Sequence, residues 1–224
     1  MGVAVEAVIW DFGGVFTTSP FEAFNAFEAR QGLPKDLIRR VNATNPDANA
    51  WARFERGDTD ARGFDALFLA ESTAFGHPVR GADVLPLLSG EVRPRMVEAL
   101  NICKRRFRVG CITNNMVLGH GPVMAQSPQG AARAGDIMGL FDVVIESSKV
   151  GVRKPDPAIY AMMCQVLEVA AAACVYLDDL GINCKPAAGL GMTAIKVVTE
   201  GQALDDLERA TGLTFPRLAA AAVA

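Results

Sequence analysis

Five short segments of the chain are almost unbroken in apolar side chains: VEAVIWDF (5–12), RVGCIT (108–113), DVVIES (142–147), ACVYLD (173–178) and TAIKVV (193–198). A strand with one wet face alternates apolar and polar positions. Near-continuous runs belong to strands covered on both faces, as in a parallel sheet. Helical periodicity fills the spaces between the later runs. RPRMVEALNICKRRF puts Met96, Val97, Leu100 and Cys103 on one face. DPAIYAMMCQVLEV does the same with Ile159, Met162, Met163, Val166 and Leu167, with Asp156 as N-cap and Pro157 at the first helical position. Strand–helix alternation from residue 92 onward predicts a doubly wound α/β core, a Rossmann-like parallel sheet.

The first two runs are separated by about 90 residues, far more than a crossover needs. Most of these residues read as helix. SPFEAFNAFEARQGL opens with a capping box, Ser19 at the N-cap, Pro20 at N1 and Glu22 at N3, and Phe21, Phe24 and Phe27 follow at every third position. NAWARFERGD and DARGFDALFLAESTAFG continue the pattern. The organisation expected is an α/β core of residues 1–17 and 89–224 with a small helical cap, 18–88, inserted after the first strand.

Composition narrows the partners. Half of the 224 residues are hydrophobic, 21% are charged and the net charge is −3, so no basic field is available for nucleic acid or an anionic membrane. No apolar run approaches ~20 residues, and the start of the chain lacks a basic segment followed by an apolar one, so the expected location is cytoplasmic. The five cysteines show neither CxxC pairing nor zinc spacing and are expected to be reduced thiols. Cys111 is expected to be a buried strand residue, and the Ala-rich tail LAAAAVA is expected to fray.

Ligands of open α/β sheets sit outside the carboxyl ends of the strands. The first run ends at Asp11, the second in Thr113–Asn114–Asn115 and the fourth in Asp178 and Asp179. The loop SSKVGVRKPDP after the third carries Lys149, Arg153 and Lys154. Separate strands therefore bring three carboxylates, a hydroxyl, amides and at least one cation to one edge. Clustered carboxylates repel, and a Mg²⁺ ion with its preference for hard oxygen ligands relieves that repulsion. A phosphate could bridge the metal and the protein, with Thr113 and backbone N–H groups on its oxygens, a Lys ammonium neutralising it and Asp11 facing the phosphorus as nucleophile.

The stretches VIWDFGGVF, RPRMVEAL, VGCITNN, IESSKVGVRKPDPAIY and VYLDDLGINCKPAAGLGMTAIKV resemble the haloacid dehalogenase superfamily. The branch they resemble contains the N-terminal phosphatase-like domain of soluble epoxide hydrolase and related domains of acyl-CoA dehydrogenase fusion proteins. The resemblance spans nearly the whole chain outside the insert. It implies Asp11 as nucleophile, Lys154 as the catalytic cation, and Thr113, Asn114 and Gly14 as phosphate-binding positions. It also implies Mg²⁺ held by Asp11, the Gly13 backbone carbonyl, Asp178 and Asp179. The substrate implied is a small phosphate monoester, hydrolysed through an aspartyl-phosphate by a monomer or homodimer.

One departure stands out. The family's first motif is usually Asp-x-Asp, whose second acid protonates the leaving oxygen and later activates water; here it reads Asp11-Phe12-Gly13. General acid–base help is commonly worth ~10²–10⁴ in rate. Three readings follow. A phosphatase could act on a substrate with a good leaving group, such as a sugar 1-phosphate or acyl phosphate, or recruit another acid. A metal-independent 2-haloacid dehalogenase needs no such proton, although the paired Asp178 and Asp179 argue for phosphate. A weakened enzyme could bind phosphorylated ligands without turnover.

The two histidines, His77 and His120, have no ligand spacing around them and read as surface or turn residues, with His120 a stand-in acid at most. Thr17 and Thr18 read as entrance or hinge positions, with hinges expected near 16–19 and 88–93. Phe21, Phe24, Phe27, Trp51, Phe54, Phe64 and Phe68 read as cap core in preference to a substrate pocket. Pro186 requires the helix after Asp179 to begin just before it or to bend.

Overall fold

The computed structural model describes residues 3–115 and 128–217, so His120 and the Ala-rich tail lie outside the described residues. The five apolar runs form five strands: β1 (Ala7–Trp10), β2 (Arg108–Thr113), β3 (Val143–Glu146), β4 (Cys174–Asp178) and β5 (Thr193–Lys196). They lie in the order β3-β2-β1-β4-β5, and every neighbouring pair is parallel. Between β1 and β2 stand α1 (Pro20–Arg30), α2 (Leu37–Ala43), α3 (Ala50–Glu55), α4 (Ala61–Ala74), α5 (Gly81–Val84) with a following 3₁₀ turn, and α6 (Pro94–Lys104). The remaining helices are α7 (Pro128–Met138), α8 (Ser147–Val150), α9 (Pro157–Leu167), α10 (Gly181–Gly189) and α11 (Glu200–Thr211).

The unbroken apolar runs have a simple cause. Val8 and Trp10 of β1 join Met96 and Leu100 of α6 and Leu204 and Leu207 of α11 in one buried cluster. Ala7 and Ile9 point the other way, into a second cluster with Ile159, Met163 and Leu167 of α9. Both faces of the sheet are covered, so both sets of alternate side chains must be apolar. Gly110 of β2 marks a close approach of α9 to the sheet, because a Cβ there would lie 2.6 Å from Met163 Sδ.

Asp156 caps α9, its side chain accepting from the Ala158 N–H at 2.9 Å, as the sequence predicts. Two expectations need correction. Val166 does not share the buried face of α9: it is 53% exposed, because the buried arc is set by Ile159, Tyr160, Met163 and Leu167. Pro186 lies inside α10, which begins five residues earlier at Gly181, so one interior N–H is given up rather than the helix start being delayed.

The insert has its own core of Phe24, Trp51, Phe54, Phe64 and Phe68 with aliphatic neighbours. Phe54 stacks on Phe64 with centroids 4.9 Å apart, and Trp51 meets Phe64 edge-on at 4.8 Å. Phe21 and Phe27 pack against this cluster while only partly buried. Thr17 and Val92 form an antiparallel bridge at the root of the insert, the Thr18 N–H donates to the Glu91 carbonyl at 2.9 Å, and the Arg93 N–H donates to the Phe16 carbonyl at 2.7 Å. The two segments that connect the insert to the core are thus paired side by side.

Candidate active site

β1 is the central strand, and the chain runs outward from it to β2 and β3 on one side and to β4 and β5 on the other. The strand order reverses at β1, which makes the carboxyl end of β1 the switch-point crevice of the sheet. The register sets Trp10 beside both Cys111 and Leu177, and the Asp11 N–H donates to the Leu177 carbonyl at 2.8 Å. Asp11 and Asp178 therefore leave adjacent strands at one level, and Thr113 stands one residue further along β2.

Lys154 is the hub. Its side chain is 1% exposed, and the ammonium lies 2.7 Å from Asp11 Oδ1 and 2.8 Å from Asp178 Oδ2. Burial alone would depress a lysine pKa, but the two carboxylates outweigh it and hold the group firmly charged, above its ordinary value. Of the three loop cations, Lys149 pairs with Glu146 at the surface and Arg153 pairs with Glu55 of the insert, so Lys154 alone enters the crevice.

The three carboxyl groups differ in what already holds them. Asp178 is fully buried and its two oxygens are heavily engaged. Oδ1 accepts from the Leu180 N–H (2.8 Å) and Asn183 Nδ2 (3.1 Å), and Oδ2 from the Tyr176 hydroxyl (2.6 Å), Asn183 Nδ2 (3.1 Å) and Lys154. Asp11 Oδ1 accepts from its neighbour's Phe12 N–H at 2.7 Å and from Lys154, and Oδ2 has no hydrogen bond among the described residues. Asp179 accepts one side-chain bond, from the Ser19 hydroxyl at 3.2 Å. That bond explains a departure from the capping box expected at α1: Ser19 is the N-cap, but its hydroxyl turns to Asp179 and makes no cap hydrogen bond.

The donor set fits a hard divalent cation. Ligand oxygens of Asp11, Asp178 and Asp179 all lie within 4.8 Å of one another. At such a separation two full negative charges repel by about 3 kcal/mol at an effective dielectric of ~20, and one ammonium does not neutralise three carboxylates. The strain appears in the acids themselves. Burial, reinforced by Asp178 and Asp179 and opposed by Lys154, pushes Asp11 up to about 8. Burial and Asp178 push Asp179 up to about 6. Gly14 belongs to the same arrangement: its φ is +73°, and a Cβ there would sit 2.2 Å from Asp179 Oδ2. Gly13, in contrast, is exposed, and a Cβ on it would meet nothing within 4 Å. Arg93 Nη1 donates to the Gly14 carbonyl at 2.8 Å and fixes this turn.

Thr113 closes β2 and is buried beside the cluster. The Asn114 side chain has other duties. Its Oδ1 accepts from the Lys154 N–H at 2.8 Å, and its Nδ2 donates to the Lys154 carbonyl at 3.0 Å and to Glu55 Oε2 at 3.2 Å. Asn115 ties β2 to β3 through Glu146, Ser147 and Ser148. Thr17, buried, accepts from the Gly14 N–H at 3.2 Å and bridges to Val92 at the root of the insert. His77 is half-buried in the insert and belongs to no group able to hold a metal among the described residues. Cys111 is buried in β2, and burial raises its thiol pKa well above the usual value, as expected of an inert strand residue. Tyr176 and Glu55 were not singled out by the sequence; tyrosine within a strand reads as core, and Glu55 as a helix surface residue.

Residues 5–191 match the family model of the haloacid dehalogenase-like hydrolases. Acyl-CoA dehydrogenase family member 10 of Mus musculus is 32% identical over 96% of this chain, and bifunctional epoxide hydrolase 2 of Mus musculus is 36% identical over 55% of it. The chain spans about a fifth of the length of these two relatives, 20% and 22% respectively. Phosphatase MT3486 of Mycobacterium tuberculosis is 34% identical across 92% of this chain and 94% of its own. Among solved structures, a HAD-like hydrolase of Porphyromonas gingivalis superposes with a TM-score of 0.66 at 18% identity, over 92% of this chain and 98% of that one. A HAD family enzyme of Bacteroides thetaiotaomicron in complex with magnesium and inorganic phosphate gives 0.55 at 15%, over 86% and 94%. The L-2-haloacid dehalogenase of Xanthobacter autotrophicus gives 0.58 at 17%, over 92% and 82%. The family model, a near full-length relative and the switch-point carboxylates agree, and the chain belongs to the haloacid dehalogenase-like hydrolases.

Proposed function

We propose that this chain is a Mg²⁺-dependent phosphatase acting on small phosphate monoesters, with Asp11 as nucleophile and the helical insert as a cap over the site. The observation that carries the reading is the cluster of three carboxyl groups, two of them paired with one buried ammonium, in which Asp11 keeps one oxygen unengaged. The name of the M. tuberculosis relative and the magnesium and phosphate of the B. thetaiotaomicron enzyme support it.

Mg²⁺, when bound, would neutralise the acid cluster and draw charge from the phosphoryl oxygens. Asp11, Asp179 and the backbone carbonyl of Gly13 would hold it. Asp178, with both oxygens already engaged, instead aligns Lys154. Asp11 Oδ2 attacks phosphorus and forms a P–O bond, and the bond to the leaving oxygen breaks with its electron pair on that oxygen. Lys154 and Thr113 meet the charge on the transferring group. Water then attacks the phosphoryl group, releases inorganic phosphate and restores the Asp11 carboxylate.

Gly13 carries no side chain to protonate the departing oxygen, so esters of acidic alcohols and acyl phosphates are turned over fastest. A panel of phosphorylated metabolites and 2-haloacids, each with Mg²⁺ and with EDTA, tests the assignment. Phosphate release that requires Mg²⁺ supports it. Halide release in EDTA points to a dehalogenase, and phosphate binding without turnover points to a ligand-binding protein.

A further inference from the structure

Glu55 is the last residue of α3, in the insert, yet its polar contacts are with the core. Its carboxylate Oε2 accepts from Arg153 Nε at 2.6 Å and from Asn114 Nδ2 at 3.2 Å. Its own carbonyl accepts from the Ser147 hydroxyl at 2.5 Å. Arg153 Nη1 reaches back to the insert and donates to the Pro46 carbonyl at 3.0 Å. The carboxylate is 15% exposed and its guanidinium partner 19%, so the pair is partly withdrawn from water. Nearby, a Cβ on Gly57 of the insert would lie 3.0 Å from the Ser148 carbonyl, so the two backbones touch where α3 meets α8.

The two core residues that Glu55 holds are the ones that frame the Lys154 backbone. Asn114 clasps both the N–H and the carbonyl of Lys154, and Arg153 immediately precedes it. The Lys154 ammonium then reaches Asp11 and Asp178. A path of hydrogen bonds from a residue of the insert, completed by the Lys154 side chain, thus reaches the nucleophile.

We propose that Glu55 is a positioning residue borne by the insert, which couples seating of the insert on the core to the placement of Asn114 and Lys154. With the insert seated, one carboxylate oxygen satisfies Arg153 and Asn114 together and fixes the loop 153–154 from outside. With the insert swung away, Arg153 loses its counter-ion and the Asn114 amide loses one acceptor. Lys154 is then held from one side only. Misplacement of a catalytic group by about 1 Å can cost ~10²-fold in rate, so the coupling confines turnover to the closed form. The rate consequence rests on the phosphatase reading; the mechanical coupling does not.

Two readouts test it on the full chain. In hydrogen–deuterium exchange, Glu55→Ala speeds exchange of the Lys154 amide about ten-fold or more, while strands β1 and β4 keep wild-type protection. In steady-state kinetics on the best phosphate ester of the panel, Glu55→Ala lowers kcat by about 10- to 100-fold with a smaller change in KM. Glu55→Gln, whose amide oxygen still accepts from Arg153 and Asn114, retains most of both properties. Removing Arg153 as well adds little to Glu55→Ala, because the two act through one contact. Wild-type exchange at Lys154 in Glu55→Ala overturns the coupling, as does a Glu55→Gln variant as impaired as Glu55→Ala while still folded. If no ester is hydrolysed even by the wild type, the phosphatase reading fails alone and the exchange result still decides the coupling.

Discussion

Gly13 and Gly14 are adjacent, and opposite constraints act on them. Gly14 is needed: its left-handed φ and the 2.2 Å approach to Asp179 leave no room for a side chain. Gly14→Ala should therefore push Asp179 aside and weaken Mg²⁺ affinity at least about ten-fold, as misplacing a metal ligand does, measured by isothermal titration. At Gly13 there is open space and no positive φ. Gly13→Asp should fold normally and supply the absent acid. It should raise turnover of alkyl phosphates with poor leaving groups by about 10²-fold and change good leaving groups little, a comparison made by plotting rate against leaving-group pKa. The acids themselves predict a pH dependence. In the metal-free chain Asp11 is pushed up to about 8 and Asp179 to about 6, so both resist ionising when folded. The stability this contributes is complete below about pH 4, where both are protonated whether folded or not. It is lost as pH rises through about 6 and then about 8. Mg²⁺ binds the ionised form, so the rise in melting temperature on adding Mg²⁺ should grow from pH 5 to pH 8. An Mg²⁺ shift that shrinks over that interval would contradict this account of the cluster.

At the scale of elements, the carboxyl end of β4 divides labour between two successive residues. Asp178 points down into Lys154, Tyr176 and Asn183, and Asp179 turns up towards Ser19 and Gly14. Tyr176→Phe removes one buried hydrogen bond to a charged oxygen and should cost about 1.5–3 kcal/mol in chemical denaturation. Gly110→Ala forces a Cβ against Met163 Sδ, 2.6 Å away, and should cost about 1–3 kcal/mol by overpacking between β2 and α9. The strands themselves were legible in the sequence because burial on both faces removes polar positions from a run, and the helices because apolar side chains recur on one face and Pro20 and Asp156–Pro157 punctuate two of their starts. What could not be read depends on a distant element. Ser19 looks like a local cap until Asp179 is brought to it from β4. The clasp of the Asn114 amide on the Lys154 backbone depends on the loop after β3 being brought beside the end of β2. Val166 fits the apolar spacing of α9, but the buried arc of Ile159, Tyr160, Met163 and Leu167 leaves it outside.

For the whole molecule, the reversal of strand order at β1 gathers chemistry from residues 11, 113, 154, 178 and 179 into one crevice. The insert is joined through two paired connecting segments and carries its aromatic side chains inward to its own core. The polar atoms it presents to the core at Glu55 and Ser19 meet the two ends of the site, near Lys154 and near Asp179. This division was only partly visible beforehand: the length of the gap revealed an inserted unit, while its points of attachment emerge only from the assembled fold. No helix among the described residues is long and apolar enough to cross a membrane. The central claim, that Asp11 attacks phosphorus in a magnesium-dependent reaction, is tested most directly by phosphate release from the best ester of the panel, measured for wild type and Asp11→Asn with Mg²⁺ and with EDTA. The account predicts release by the wild type with Mg²⁺ alone, and none above background in the other three conditions. Equal release by Asp11→Asn, or undiminished release in EDTA, would contradict it.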